Sequence, residues 1–220
     1  MLVKQIKTIA AKTGIARNVL FGRYPYMYSP LQIRKLIDCC EEKKNIPGSY
    51  VEIGCAYGAT AILMAKTFNE LGIERQCYAL DTFSGFVETQ ATHDIVKLGK
   101  DPELKNYFRS NDISWLRASL ADSGIDNFQI FKGDASVFDY SRCGPIALAL
   151  LDVDLYLPIY SILPQLYKNL SPGGLIIVDD CAPSTKWEGA LLAYQKFTDE
   201  NGIEQNIVCG KLGIIRRANS

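Results

Sequence analysis

The sequence is poor in histidine. One His stands among 220 residues, which excludes most zinc chemistry and any triad that needs two imidazoles. Neither charge is in excess: 24 Lys and Arg balance 24 Asp and Glu, whereas a dedicated nucleic-acid binder carries a basic surplus. No apolar run approaches the roughly 20 residues of a membrane span, and the N-terminus lacks the continuous apolar core of a signal peptide. The seven cysteines are scattered and include no C-x-x-C pair for zinc or redox work. They read as reduced thiols in a cytoplasmic protein. No repeat or low-complexity stretch is visible.

What is present is core material. Apolar residues make up 48% of the chain, enough for one large core, and the length suits one domain with a short appendage. Residues 1–48 read as an N-terminal helical extension and 49–220 as the main domain. The extension carries Lys4, Lys7, Lys12, Arg17 and Arg23 before its first acid, Asp38. It is expected to be a basic amphipathic helix packed on the domain or on a second subunit of a homodimer. A transit peptide or membrane-surface helix is the alternative. Tyr24, Tyr26, Met27 and Tyr28 form an aromatic cluster, read as a packing or dimer contact, with a cover over the active site as the alternative.

Beyond that point, helix and strand patterns alternate. Ser29-Pro30 starts a helix predicted to run to about residue 44, and Ile46-Pro47-Gly48 closes it. Strands are predicted at 49–54, 76–80, 127–131, 145–151, 175–178, 204–209 and 212–216. Helices are predicted at 60–71, 111–122, 158–170 and 187–201, with a short one after Asp134. Residues 82–110 read as a long irregular loop, the usual form of a lid. Ser171-Pro-Gly-Gly reads as a turn. The alternation predicts an α/β fold. Its form is a Rossmann-like, doubly wound, mostly parallel seven-stranded sheet with an antiparallel C-terminal hairpin at one edge, plus N-terminal helices.

Ligands of open α/β sheets bind outside the carboxyl ends of the strands. Here those ends carry Glu52 with Gly54, Asp81, Asp134, Asp152 with Asp154, and Asp179 with Asp180. Helix capping explains one acid per junction, not two doubled sites. The run Glu52-Ile-Gly54-Cys-Ala-Tyr-Gly58 lets a ligand approach the backbone closely. Its leading acid repels a pyrophosphate and suits a ligand with a positive charge. Asp81 can accept both hydroxyls of a ribose. Asp152 and Asp154, two residues apart on an extended strand end, point to one side. If the next strand is a neighbour, Asp179 and Asp180 join them. Four carboxylates so close need compensation, and an all-oxygen set selects Mg²⁺, Mn²⁺ or Ca²⁺. The alternative is that these acids are caps and surface groups.

Over about 49–217 these residues resemble the class I S-adenosylmethionine-dependent methyltransferases, with one glycine fewer than the common E/D-x-G-x-G-x-G pattern. The resemblance implies that Glu52, Gly54 and Gly58 line the methionine end and that Asp81 binds the ribose. It also implies that the Gly133-Asp134-Ala135 turn flanks the adenine. Cys55, Thr82 and Asp152 complete the implied cofactor contacts. The runs Asp152-Val-Asp154-Leu-Tyr156, Gly173-Gly174 to Asp179-Asp180, and Asp81-Thr-Phe-Ser-Gly85 are similar to the macrocin O-methyltransferase family, which methylates sugar hydroxyls and uses Mg²⁺. That resemblance implies Asp152, Asp179 and Asp180 as ligands of Mg²⁺ (or Mn²⁺) and Asp154 as general base. The implied partner is a small-molecule hydroxyl acceptor, a sugar of a natural product, with no nucleic acid and no membrane span.

His93 falls in the predicted lid. It reads as a solvated loop residue, with a substrate contact as the alternative. Trp187 and Glu188 either line the acceptor pocket or open a helix. Two other functions compete. A catechol-type O-methyltransferase uses a similar acidic metal site, although a Lys-rich region for a CoA phosphate is not evident. A D-x-D glycosyltransferase grips Mn²⁺ and a sugar nucleotide, and needs neither the glycine turn nor the second acid pair. A non-catalytic scaffold has no reason to keep four carboxylates together.

Overall fold

The computed structural model describes residues 26–183 and 185–218. The basic segment from Lys4 to Arg23, and Tyr24, lie outside the described residues. The first described helix, α1 (Pro30–Glu42), starts where the sequence predicts. Ser29 and Gln32 form a reciprocal capping box, and Pro30 takes the first helical position. The helix buries Leu36, Cys39 and Cys40 in a cluster with Met64 and Phe68.

The remaining elements are β1 (Ser49–Ile53), α2 (Ala59–Glu70), β2 (Cys77–Asp81), α3 (Glu88–Lys97), α4 (Ile113–Asp122) and β3 (Phe128–Lys132). They continue with β4 (Ile146–Leu151), α5 (Tyr156–Asn169), β5 (Leu170–Val178), α6 (Glu188–Glu200), β6 (Ile207–Val208) and β7 (Leu212–Arg216). The sheet order is β3-β2-β1-β4-β5-β7-β6. The first five strands are parallel, and β7 runs antiparallel to both β5 and β6. The fold is the expected Rossmann-like α/β arrangement. Its winding reverses between β1 and β4, where such sheets open a crevice.

All six residues of β4 are buried. Ile146, Ala149 and Leu151 join the cluster that includes α5 and α6, while Leu148 and Leu150 join the one with α1 and α2. A strand covered on both faces has no solvent side, so its sequence is continuously apolar.

Three expectations need correction. Residues 82–110 are not one irregular loop: they hold α3 and a 3₁₀ turn at Pro102–Asn106. Only Ala91 and Asp94 of α3 are buried, too few to print a helical period on the sequence. Tertiary contact holds this helix instead, and Asp94 Oδ2 accepts a hydrogen bond from the Tyr156 amide at the start of α5. Next, Ser171 to Gly174 belongs to β5 rather than to a separate turn. Pairing with β4 steps from Ile146↔Leu170 to Leu148↔Leu175 across it. Finally, the strand expected over 204–209 shrinks to the two-residue β6; the antiparallel hairpin lies at one edge of the sheet, as expected, with β7 against β5 and β6 outermost.

All seven cysteines carry free thiols, and six are buried. Among the described residues no helix is long and apolar enough to cross a membrane.

Candidate active site

A cavity of about 470 Å³ opens outside the carboxyl ends of the central strands, a size suited to a small-molecule ligand. Two glycines shape its floor. Gly54 has φ +84°, and a Cβ on it would overlap the backbone carbonyl of Asp152. Gly58 caps α2 with φ +91°, and a Cβ there would run into Leu116 of α4. Both positions require glycine, for the left-handed backbone and for the close approach. The turn between them is pinned by Asp81. Its Oδ2 accepts from the Ala56 amide at 2.9 Å and its Oδ1 from the Phe83 amide at 2.7 Å. Burial raises the Asp81 pKa, and those two amides work against the rise.

Of the predicted cofactor residues, Gly54, Cys55, Gly58, Asp81, Thr82 and Asp152 line the cavity, as does the Gly133-Asp134-Ala135 turn. Asp134 caps that turn, accepting from the Ser136 amide at 2.9 Å, and also accepts from Gln90 Nε2 of α3 at 3.2 Å. Glu52 stands apart from the lining residues. It is fully buried, its Oε2 accepts from the Tyr50 hydroxyl at 2.7 Å, and its Oε1 has no hydrogen-bond partner among the described residues. Burial pushes the Glu52 carboxyl up to about 7, opposed by the Tyr50 hydroxyl.

Beside the glycine turn, β4 and β5 deliver the four aspartates together. One carboxylate oxygen from each of Asp152, Asp154 and Asp180 lies within 4.8 Å of the others. Asp179 is turned toward Lys211: its Oδ2 sits 2.8 Å from Nζ, which also lies 3.0 Å from Asp180 Oδ1. Asp179 Oδ1 is buried and has no hydrogen-bond partner among the described residues. Burial raises the pKa of Asp152, Asp154 and Asp179, and each neighbouring carboxylate adds to the rise. Burial works against the Lys211 ammonium, but Asp179 and Asp180 outweigh it and hold its pKa above the ordinary value. Asp154 and Asp180 adopt φ of +62° and +56°, left-handed backbone that Asp tolerates better than most residues and that gathers at functional sites.

Of four further contributors, sequence reasoning gave one, Tyr28, only as an alternative and missed the rest. Tyr28 is buried, and its hydroxyl donates to Asp152 Oδ2 at 3.1 Å; the aromatic cluster before α1 therefore reaches the site. Lys211 follows a turn that the sequence did show, but its target depends on the antiparallel register after β5. Gln90 lies on the helix that periodicity hid. The fourth is an aromatic wall in which Trp187 packs against Phe86, Tyr107 and Phe108, with ring centroids at 5.8, 5.7 and 6.1 Å. Trp187 lines the cavity and immediately precedes α6. His93 is not among the lining residues. It pairs with Asp94 at 2.9 Å and stacks on Tyr156, so it is not a simply solvated loop residue.

The donor set fits a hard divalent cation. It consists of oxygen alone, Asp152, Asp154 and Asp179 are pushed toward protonation by burial and mutual repulsion, and Asp179 Oδ1 has no hydrogen-bond partner among the described residues. The glycine turn, the acid ending β2 and the sheet order define the class I methyltransferase fold. More narrowly, residues 27–210 match the family model described as Macrocin-O-methyltransferase (TylF), and the chain belongs to that family of O-methyltransferases.

Among its relatives is the mycinamicin III 3''-O-methyltransferase of Micromonospora griseorubida, 24% identical over 191 residues. The match covers 80% of this chain and 71% of that protein. A second is the 8-demethyl-8-(2,3-dimethoxy-alpha-L-rhamnosyl)-tetracenomycin-C 4'-O-methyltransferase of Streptomyces olivaceus. It is 28% identical over 145 residues, covering 63% of this chain and 54% of that protein. Among solved structures, the O-methyltransferase NovP superposes with a TM-score of 0.70 at 19% identity, over 85% of this chain and 79% of that one. The calicheamicin methyltransferase CalS11 superposes with a TM-score of 0.67 at 19% identity, over 97% and 90%. The family assignment selects methyl transfer over glycosyl transfer.

Proposed function

We propose that the protein moves the methyl group of S-adenosylmethionine to a hydroxyl on the sugar of a small natural product, assisted by a divalent cation. The observation that carries this reading is the convergence of Asp152, Asp154 and Asp180 beside the Gly54–Gly58 turn in one cavity. The family and the activities named for its relatives support the sugar acceptor.

In this reading Gly54, Cys55 and Gly58 receive the methionine end, and Glu52 supports that turn from beneath. Asp81 and Thr82 take the ribose, while Gly133, Asp134 and Ala135 border the adenine. Asp152, Asp179 and Asp180 hold Mg²⁺ or Mn²⁺. S-adenosylmethionine, when bound, supplies an electrophilic methyl group. The cation, when bound, supplies Lewis acidity that makes a hydroxyl easier to deprotonate. Asp154 accepts the hydroxyl proton at its carboxylate, a contribution of roughly 10²–10⁴ in rate. Burial and the neighbouring Asp180 raise its pKa, which makes its carboxylate more basic. Phe108 and Trp187 wall the cavity and keep water from the reacting groups.

Calorimetric titration with S-adenosylmethionine, and separately with a UDP-sugar, each with and without Mg²⁺, tests the cofactor half. S-adenosylmethionine is expected to bind and the sugar nucleotide is not; the reverse result overturns the reading. Full methyl transfer in EDTA, with metal removal verified by elemental analysis, overturns the metal half.

A further inference from the structure

We propose that Lys211 is a tethered counter-cation of the acid cluster, whose ammonium competes with the divalent cation for Asp179 and Asp180. This rests on the metal reading above and adds a residue that sets how tightly the metal is held.

The contact is an internal one. Lys211 Nζ lies 2.8 Å from Asp179 Oδ2 and 3.0 Å from Asp180 Oδ1, and the three side chains are 20%, 4% and 16% exposed. It is therefore unlike the solvated surface pairs that contribute little. The Tyr28 ring lies 4.7 Å from the same ammonium, and the Tyr28 hydroxyl donates to Asp152. One side chain thus supports both the lysine and a carboxylate of the trio.

The position is built into the sheet. The Cys181 amide donates to the Lys211 carbonyl at 2.7 Å, directly after the acid pair, and Val178 pairs with Gly213. The turn before β7 therefore cannot move away without breaking the β5–β7 ladder.

Yet the ammonium does not complete the cluster. It carries one positive charge against four carboxylates, and Asp179 Oδ1 is left buried with no hydrogen-bond partner among the described residues while Asp179 lines the cavity. A lysine placed only to neutralise an ion pair would not share its acids with the Asp152–Asp154–Asp180 trio. A divalent cation drawing on Asp179 and Asp180 meets a positive charge already among the same oxygens. Either the ammonium swings out or the metal is held more weakly. The flexible four-carbon stem of lysine permits the first, and it keeps the acids from repelling one another when the metal leaves.

Mn²⁺ binding, followed by calorimetry and by the electron paramagnetic resonance of the free ion, tests this on the whole chain and on Lys211→Met and Lys211→Arg. Lys211→Met is expected to bind Mn²⁺ at least tenfold more tightly, and Lys211→Arg within threefold of the unaltered protein. A folded Lys211→Met that binds Mn²⁺ no more tightly overturns the competition and leaves the metal reading standing. Absence of Mn²⁺ binding in all three proteins overturns the metal reading, and the competition with it. Should Lys211→Met not fold, the unaltered protein still decides. Mn²⁺ is expected to speed acylation of Lys211 by an amine-reactive reagent several-fold, and an unchanged rate overturns the proposal.

Discussion

The backbone carbonyl of Asp152 occupies the space that a Cβ on Gly54 would fill. The end of β1 and the end of β4 are therefore in contact at the one point where both halves of the candidate site meet, the glycine turn on one side and the aspartates on the other.

Gly54→Ala is accordingly expected to damage both halves. A methyl group at φ +84° must strain the backbone and displace Asp152, a cost of about 2–4 kcal/mol. Calorimetric melting should show a fall of roughly 5–15 °C, together with loss of S-adenosylmethionine binding. Gly72→Ala is the control. Its φ is +67°, nothing lies within 4 Å of the added carbon, and its cost is about 1 kcal/mol.

Asp81→Ala removes the acceptor for two amides, Ala56 and Phe83. Each amide left unpaired costs about 1–3 kcal/mol. The glycine turn loses its pin along with the predicted ribose contact, so S-adenosylmethionine affinity is expected to fall at least tenfold by calorimetry. An unchanged affinity would remove Asp81 from the cofactor site.

Asp154→Asn keeps a residue that tolerates φ +62° and takes away the proton acceptor. Turnover is expected to fall by about 10²–10⁴ while S-adenosylmethionine affinity holds. Equal loss of both would show a structural rather than a chemical role.

Glu52 couples stability to pH. Its carboxyl sits at about 7 in the fold against 4.5 for an unperturbed Glu. Below pH 4.5 both states are protonated and the group costs nothing. As pH rises from 4.5 to 7 the unfolded chain ionises first, so the folded state loses stability, and above pH 7 the penalty stays constant at about 3 kcal/mol. Urea unfolding at pH 5 and pH 8 is expected to show a smaller loss for Glu52→Gln than for the unaltered protein. Asp152, Asp154 and Asp179, also raised, leave part of the slope in both. Identical slopes would place the Glu52 carboxyl at its ordinary pKa.

Much of this was legible in the sequence because its causes are local. Ser29, Pro30 and Gln32 spell a helix start within four residues. The apolar run of β4 reports burial on both faces, and each of the five parallel strands carries an acid at or near its carboxyl end. What stayed hidden depends on distant chain. α3 buries too little to show a period and is held in place by α5 and Asp94. The Tyr28–Asp152 bond spans 124 residues and the Lys211–Asp179 pair 32. Neither residue type advertises its partner, since a tyrosine before a helix or a lysine in a turn is ordinary by composition. The aromatic wall is similar: Phe86, Phe108 and Trp187 are scattered along the chain, and only the fold stacks them.

The pairing of β5 with β7 has a consequence for how related chains can diverge. Lys211 is held beside the acid pair because Val178 is paired with Gly213 and the Cys181 amide donates to the Lys211 carbonyl. Deleting Lys211 from the turn would put Gly210 in that place and strip the acid pair of its ammonium, with every aspartate untouched. Adding a residue between Lys211 and Leu212 would send the lysine elsewhere. The ionic appetite of the site is thus adjustable by the length of a surface turn, a change that costs a lineage far less than rebuilding a buried carboxylate.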